Sequence, residues 1–118
     1  MKNEMKTLPK ILAVDFDGTL CTGDNYPEIG KPNTEIINLV HAYRKAGWRI
    51  VLWTCRNREA LEAAISWCVE QGLVFDAINE NIPEVQEMFG GDTRKVYADE
   101  YLDDKNIIVP SLRIHHVI

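Results

Sequence analysis

Residues 11–20 read Ile11-Leu12-Ala13-Val14-Asp15-Phe16-Asp17-Gly18-Thr19-Leu20: four apolar side chains in a row, two acids flanking a phenylalanine, then a glycine. A short unbroken apolar run followed by turn residues reads as a strand buried on both faces. Asp15 and Asp17 stand where that run stops, and residues two apart on an extended chain share a face. Gly18 turns the chain, which leaves both acids at the strand's carboxyl end. Open parallel sheets place their ligands at that edge. Two carboxylates so close repel each other unless a cation joins them, and a hard cation such as Mg²⁺ prefers carboxylate oxygens.

The same alternation continues outward. Residues 21–33 hold Gly23, Pro27, Gly30 and Pro32, a turn-rich loop or small hairpin. Asn33 can cap a helix in which Ile36, Ile37, Val40 and Tyr43 fall at helical spacing, and Gly47 ends it. Trp48 to Thr54 reads as a second strand. Asn57 opens a second helix, with Leu61, Ala64, Ile65, Cys68 and Val69 as its apolar stripe and Gly72 as its stop. Leu73 to Ile78 is expected to hold a short third strand and Pro83 to Phe89 a short helix broken by Gly90-Gly91. A fourth strand is expected within Val96–Leu102 and a fifth within Arg113–Val117. Residues 1–9 read as a loose arm. Strands alternating with helices predict one α/β domain over residues 1–118, a three-layer sandwich whose mostly parallel sheet is covered on both faces.

Composition fits and restricts this reading. The chain has 118 residues, 13 basic and 18 acidic, for a net charge of −5. Hydrophobic residues make up 46%, enough for one core, and the length is too short for two domains. The acidic balance argues against long nucleic acid and anionic membranes as partners, since both need clustered positive charge. It leaves room for a small basic pocket that takes a phosphorylated substrate. No apolar run approaches a membrane span, and the polar N-terminus does not read as a signal peptide. Cys21, Cys55 and Cys68 form no CxxC pattern, so a reduced, cytoplasmic setting is expected.

Further residues gather on the acid pair by their places in this pattern. Thr54 ends the second strand, where a hydroxyl can donate to a phosphoryl oxygen. Lys95 precedes the fourth strand and can balance phosphate charge. Asp103-Asp104 close that strand and can complete a Mg²⁺ shell. Arg56 follows Thr54 closely and is the expected guanidinium contact to substrate, bidentate to phosphate or carboxylate. Tyr26 lies in the 21–33 loop, as a packing residue or a substrate contact.

The string Asp15-Phe16-Asp17-Gly18-Thr19-Leu20 resembles the first motif of the haloacid dehalogenase superfamily, mainly phosphatases and phosphotransferases. Thr54 resembles the second motif, Lys95 the third and Asp103-Asp104 the fourth, so the resemblance runs from about Ile11 to Asn106. It implies a Rossmannoid sheet of strand order 3-2-1-4-5 and a Mg²⁺-dependent phosphatase that works through an aspartyl phosphate. It also implies that Asp15 is the nucleophile and that Asp17 protonates the leaving oxygen and then activates water. Thr54 and Lys95 would grip the phosphoryl group. Asp15, the Asp17 backbone carbonyl and Asp103 would hold Mg²⁺, with Asp104 ligating through water or orienting the shell.

Neither the gap at 21–33 nor the segment after Thr54 can hold a cap domain. An open site implies a large phosphorylated substrate or a second copy of the chain covering it. Transfer of the phosphoryl group to an acceptor other than water is the first alternative. A phosphate-binding or receiver-like signalling domain is the second. In a receiver, however, the acidic pair comes first in the chain and the phosphorylated aspartate later, and no second acid follows that aspartate by two.

Overall fold

A computed structural model describes residues 7–23 and 25–107. The apolar run forms β1 (Ile11–Val14), every side chain of which is buried. It is one of the two inner strands of a four-stranded sheet of order β3-β2-β1-β4, in which every pairing is parallel. β2 covers Arg49–Leu52, β3 Ala77–Ile78 and β4 Glu100–Leu102. Ala13 lies opposite Val51 on one side and Tyr101 on the other. This agrees with the expected order as far as the described residues reach; the fifth strand expected at Arg113–Val117 lies outside them.

The strand side chains alternate between two cores, as a two-residue period requires. Leu12, Val14, Ile50 and Leu52 face one side, where they pack with Ile37 and Val40 of α1 (Thr34–Lys45) and Ala64 and Cys68 of α2 (Arg58–Glu70). Ile11, Ala13, Val51 and Ala77 face the other side and pack with Val85 of α3 (Pro83–Phe89), Ile82 and Val96. The chain is therefore a three-layer α/β/α fold. Leu8 packs against the second core. The loose arm expected over 1–9 thus gives way by Leu8, because an apolar side chain beside β1 has a core to join. Residues 1–6 are outside the described part.

Several ends differ from the sequence reading. Asn33 and Asn57 occupy the helix starts, but neither caps its helix through the side chain. Asn33 Nδ2 instead donates to the Thr19 carbonyl at 3.1 Å, which ties the start of α1 to the turn after β1. β4 lies within the expected segment and takes only its last three residues, because residues 96–98 bond elsewhere: the Tyr101 hydroxyl donates to the Val96 carbonyl and accepts from the Ala98 N–H. The 21–33 segment is hairpin-like, with Cys21 bridged to Pro32 and the Thr22 N–H donating to the Lys31 carbonyl at 2.8 Å. No helix among the described residues is long and apolar enough to cross a membrane.

Candidate functional site

The carboxyl ends of β1, β2 and β4 lie side by side, and the acids follow from that register. The Asp15 N–H still donates to the Leu102 carbonyl at 2.9 Å, so Asp15 continues the β1–β4 ladder by one residue. Asp103 and Asp104 follow directly on β4. One oxygen from each of Asp15, Asp103 and Asp104 can be chosen so that all three lie within 4.8 Å of one another. Burial pushes the Asp15 carboxyl up from 3.8 to about 6, aided by the charges of Asp103 and Asp104 and opposed by the Phe16 N–H. Three anionic side chains on one edge are held apart in free energy although close in space. A divalent cation with oxygen ligands is the group that relieves this, so the donor set fits Mg²⁺.

Two neighbours make that approach possible. Gly18 has φ +82°, and a Cβ built on it would sit 2.4 Å from Asp104 Oδ2. Only glycine admits both this backbone and this contact. The Thr19 hydroxyl, buried under the turn, accepts from the Asp104 N–H at 3.1 Å and donates to Asp15 Oδ2 at 3.4 Å. Thr19 thus joins the two ends of the acidic cluster. It was part of the quoted string but had no assigned role; its signal is a hydroxyl fixed in the same turn as both acids.

Thr54 lies just beyond β2, half-buried. Its N–H donates to Asn79 Oδ1 at 2.8 Å, and its Oγ1 accepts from the Arg56 N–H at 3.1 Å. Its hydroxyl proton has no acceptor among the described residues and remains available. Asn79 is a second residue that sequence reading missed. Its φ of 57° turns the chain after β3, and asparagine tolerates that region better than most residues.

Arg56 corrects the expectation of a substrate contact. Its side chain is 1% exposed. Nε and Nη2 form a fork on Asp17, at 2.8 Å to Oδ2 and 2.8 Å to Oδ1. Nη1 donates to the Pro27 carbonyl at 3.1 Å and the Ala60 carbonyl at 3.3 Å, and Nη2 also to the Glu28 carbonyl at 3.3 Å. A guanidinium has five N–H donors, so none is left for a ligand. Phe16 and Tyr26 lie against its faces, with ring centroids 5.0 and 4.9 Å from Cζ. The hydrogen bond to Asp17 raises the Arg56 pKa further. The Asp17 carboxylate is therefore turned to Arg56 and is not part of the acidic cluster.

Lys95 precedes β4, as expected. It is exposed, with Nζ 5.4 Å from the centre of the Tyr101 ring, and it makes no ion pair among the described residues. Tyr101 pairs with Ala13, two residues before Asp15, so Lys95 lies on the sheet face that Asp15 continues. Its loop is set by Asn81, which is 1% exposed. The Asn81 side chain donates to Asp92 at 2.8 Å and Thr93 at 3.0 Å and accepts from the Tyr97 N–H at 2.7 Å.

The chain is similar to a solved structure of a conserved protein from Bacteroides thetaiotaomicron. The two are 34% identical, with a TM-score of 0.73, over 92% of this chain and 88% of the other. The chain belongs to the same family as that protein. No family model and no curated protein matches the sequence.

Proposed function

We propose that the chain is a Mg²⁺-dependent phosphatase of the haloacid dehalogenase type, with Asp15 as the covalent nucleophile. The observation that carries this reading is the convergence of Asp15, Asp103 and Asp104 at one strand edge, with the free Thr54 hydroxyl at the end of the adjacent strand. Mg²⁺ bound by the three acids would offset the negative charge of an incoming phosphoryl group. An Asp15 oxygen attacks phosphorus, and the leaving oxygen departs with its electron pair. The Thr54 hydroxyl donates to a phosphoryl oxygen, and Lys95 joins it by leaving the Tyr101 ring. Water then attacks phosphorus, its proton passing to Asp17 as the base, while the Asp15 oxygen–phosphorus bond breaks, orthophosphate leaves and the Asp15 carboxylate is regenerated. Phosphoryl transfer to another acceptor would use the same intermediate.

The test is turnover with Mg²⁺ against turnover in EDTA, with acid-quenched protein analysed by mass spectrometry for phosphate on Asp15. Release of orthophosphate that needs Mg²⁺, lost in Asp15→Asn, is the expected result. Full turnover without metal, or phosphate found on another residue, would overturn the mechanism. In the same reading, the part of the substrate beyond its phosphate is covered by its own bulk or by a second copy of the chain. Light scattering at assay concentrations separates the two.

A further inference from the structure

Three side chains are layered beside the acid pair. Phe16 is fully buried, Arg56 is 1% exposed, and Tyr26 is 59% exposed although it shares their contact. Arg56 Cζ lies over both rings, 5.0 Å from the centre of Phe16 and 4.9 Å from the centre of Tyr26. Tyr26 is therefore the outer layer. One face of its ring rests on the guanidinium, and the rest of the side chain is open to solvent. The loop that carries it is fastened to the same guanidinium, which donates to the Pro27 carbonyl at 3.1 Å and the Glu28 carbonyl at 3.3 Å. The Glu28 N–H closes a turn on the Asn25 carbonyl at 2.8 Å. The ring is thus held in place before anything binds, so a group stacked on it does not bear the cost of ordering it.

Arg56 also sets what the ring stands beside. Its Nε and Nη2 hold the two Asp17 oxygens at 2.8 Å, yet the Asp17 side chain is still 39% exposed. One buried cation therefore joins the Tyr26 ring to the acid two residues beyond Asp15, and ring and acid are both open to solvent. A lone exposed tyrosine is ordinary on a protein surface. This one is fixed from behind by a buried guanidinium at the acid pair. Its inner face does the packing, and its outer face has no such duty.

We propose that the outer face of Tyr26 is a stacking platform for the leaving part of the substrate, so that the site prefers phosphate monoesters carrying a planar aromatic ring, a nucleobase or an aryl group, over esters of similar alcohols without one. This rests on the phosphoryl-transfer reading above and gives it a substrate class. With phosphorus at Asp15, the group beyond the leaving oxygen passes Asp17 and meets Tyr26. Every planar ring has a π-face to stack, so the platform selects planarity rather than one particular base.

The experiment measures kcat/KM at saturating Mg²⁺ for two pairs of esters, AMP against ribose 5-phosphate and benzyl phosphate against cyclohexylmethyl phosphate. Within each pair the leaving oxygen is a primary alkoxide and the planar ring is present or absent. The ring-bearing member of at least one pair is expected to lead by about 10-fold, the size of one stacking contact. Tyr26→Leu should bring that ratio close to one, mainly by raising KM for the ring-bearing ester, and Tyr26→Phe should keep it. A tyrosine that only shields Arg56 would, when replaced, change both members of a pair alike. An unchanged ratio in Tyr26→Leu therefore overturns the proposal, as does a ratio lost in Tyr26→Phe or one near unity in both wild-type pairs. Where circular dichroism shows Tyr26→Leu unfolded, Tyr26→Met covers Arg56 with a flexible apolar chain and carries the same expectation. Mg²⁺-dependent turnover of all four esters without a ring preference overturns only the platform. Absence of turnover with all four overturns the phosphatase reading and the platform with it.

Discussion

At the residue scale, Gly18 and Arg56 show how different the legibility of single positions can be. Gly18 declared its turn in the sequence, because a glycine after two acids at a strand end has few other uses. What could not be read was the contact behind it, the Asp104 carboxylate arriving from 86 positions later in the chain. Gly18→Ala would force a side chain into the left-handed region and onto that carboxylate, at a cost of about 1–3 kcal/mol. A drop in melting temperature together with weaker Mg²⁺ binding by calorimetry is expected; normal Mg²⁺ affinity would show that Asp104 moves aside freely. Arg56 misled because Thr54-Cys55-Arg56-Asn57-Arg58 has the composition of an exposed helix entry. Its burial comes from Phe16, Tyr26 and the 27–28 carbonyls, none of them local. Arg58, with a positive φ of 51° at the first position of α2, is the strained point of that same entry.

At the scale of elements, the strands and helices were legible wherever apolar runs ended at glycine or proline. β1, both long helices and α3 stand where the periodicity put them, α3 at the same bounds. The bounds that the sequence left loose are those set by side chains reaching across the sequence. Residues 92–97 look like the approach to a strand, yet Asn81 satisfies the Tyr97 N–H and holds Asp92 and Thr93, so the strand starts only at Glu100. Asn81→Ala would leave the part-buried Tyr97 N–H without its acceptor and open a gap where the buried Asn81 side chain stood. The expected destabilisation is about 1–3 kcal/mol. Limited proteolysis should then cut within 90–97, near Lys95, before it cuts the helices. Cleavage elsewhere first would mean that Asn81 is not what holds the loop.

At the scale of the whole molecule, the fold concentrates acidic charge that the exposed Lys105, 3.5 Å from Asp104 Oδ2, offsets only in part, and that concentration gives a dependence on pH with a definite sign. In the ion-free protein the Asp15 carboxyl stands at about 6 against an ordinary 3.8, first because it is buried and then because of Asp103 and Asp104. Between those values the folded chain binds more protons than the unfolded chain, so this group's contribution to stability is full below about 3.8 and is lost as pH rises through about 6. Asp15 is only half-buried, and solvent screening moderates the size of the effect. In the proposed reading Mg²⁺ would reverse the order, because it would bind the deprotonated acids and only the folded chain brings them together. Its stabilisation should therefore be small near pH 4.5 and grow through pH 6. Above saturation it should add about 1.4 kcal/mol for each tenfold increase in free Mg²⁺. Melting curves at pH 4.5, 6 and 7.5, each in EDTA and in Mg²⁺, measure this directly. Asp15→Asn supplies the control, since it removes the titrating group and should flatten both the loss in EDTA and the gain in Mg²⁺. A wild-type protein whose Mg²⁺ stabilisation is the same at pH 4.5 and 7.5 would show that the cation is not held by Asp15, and the strand-edge cluster would lose its claim to the metal.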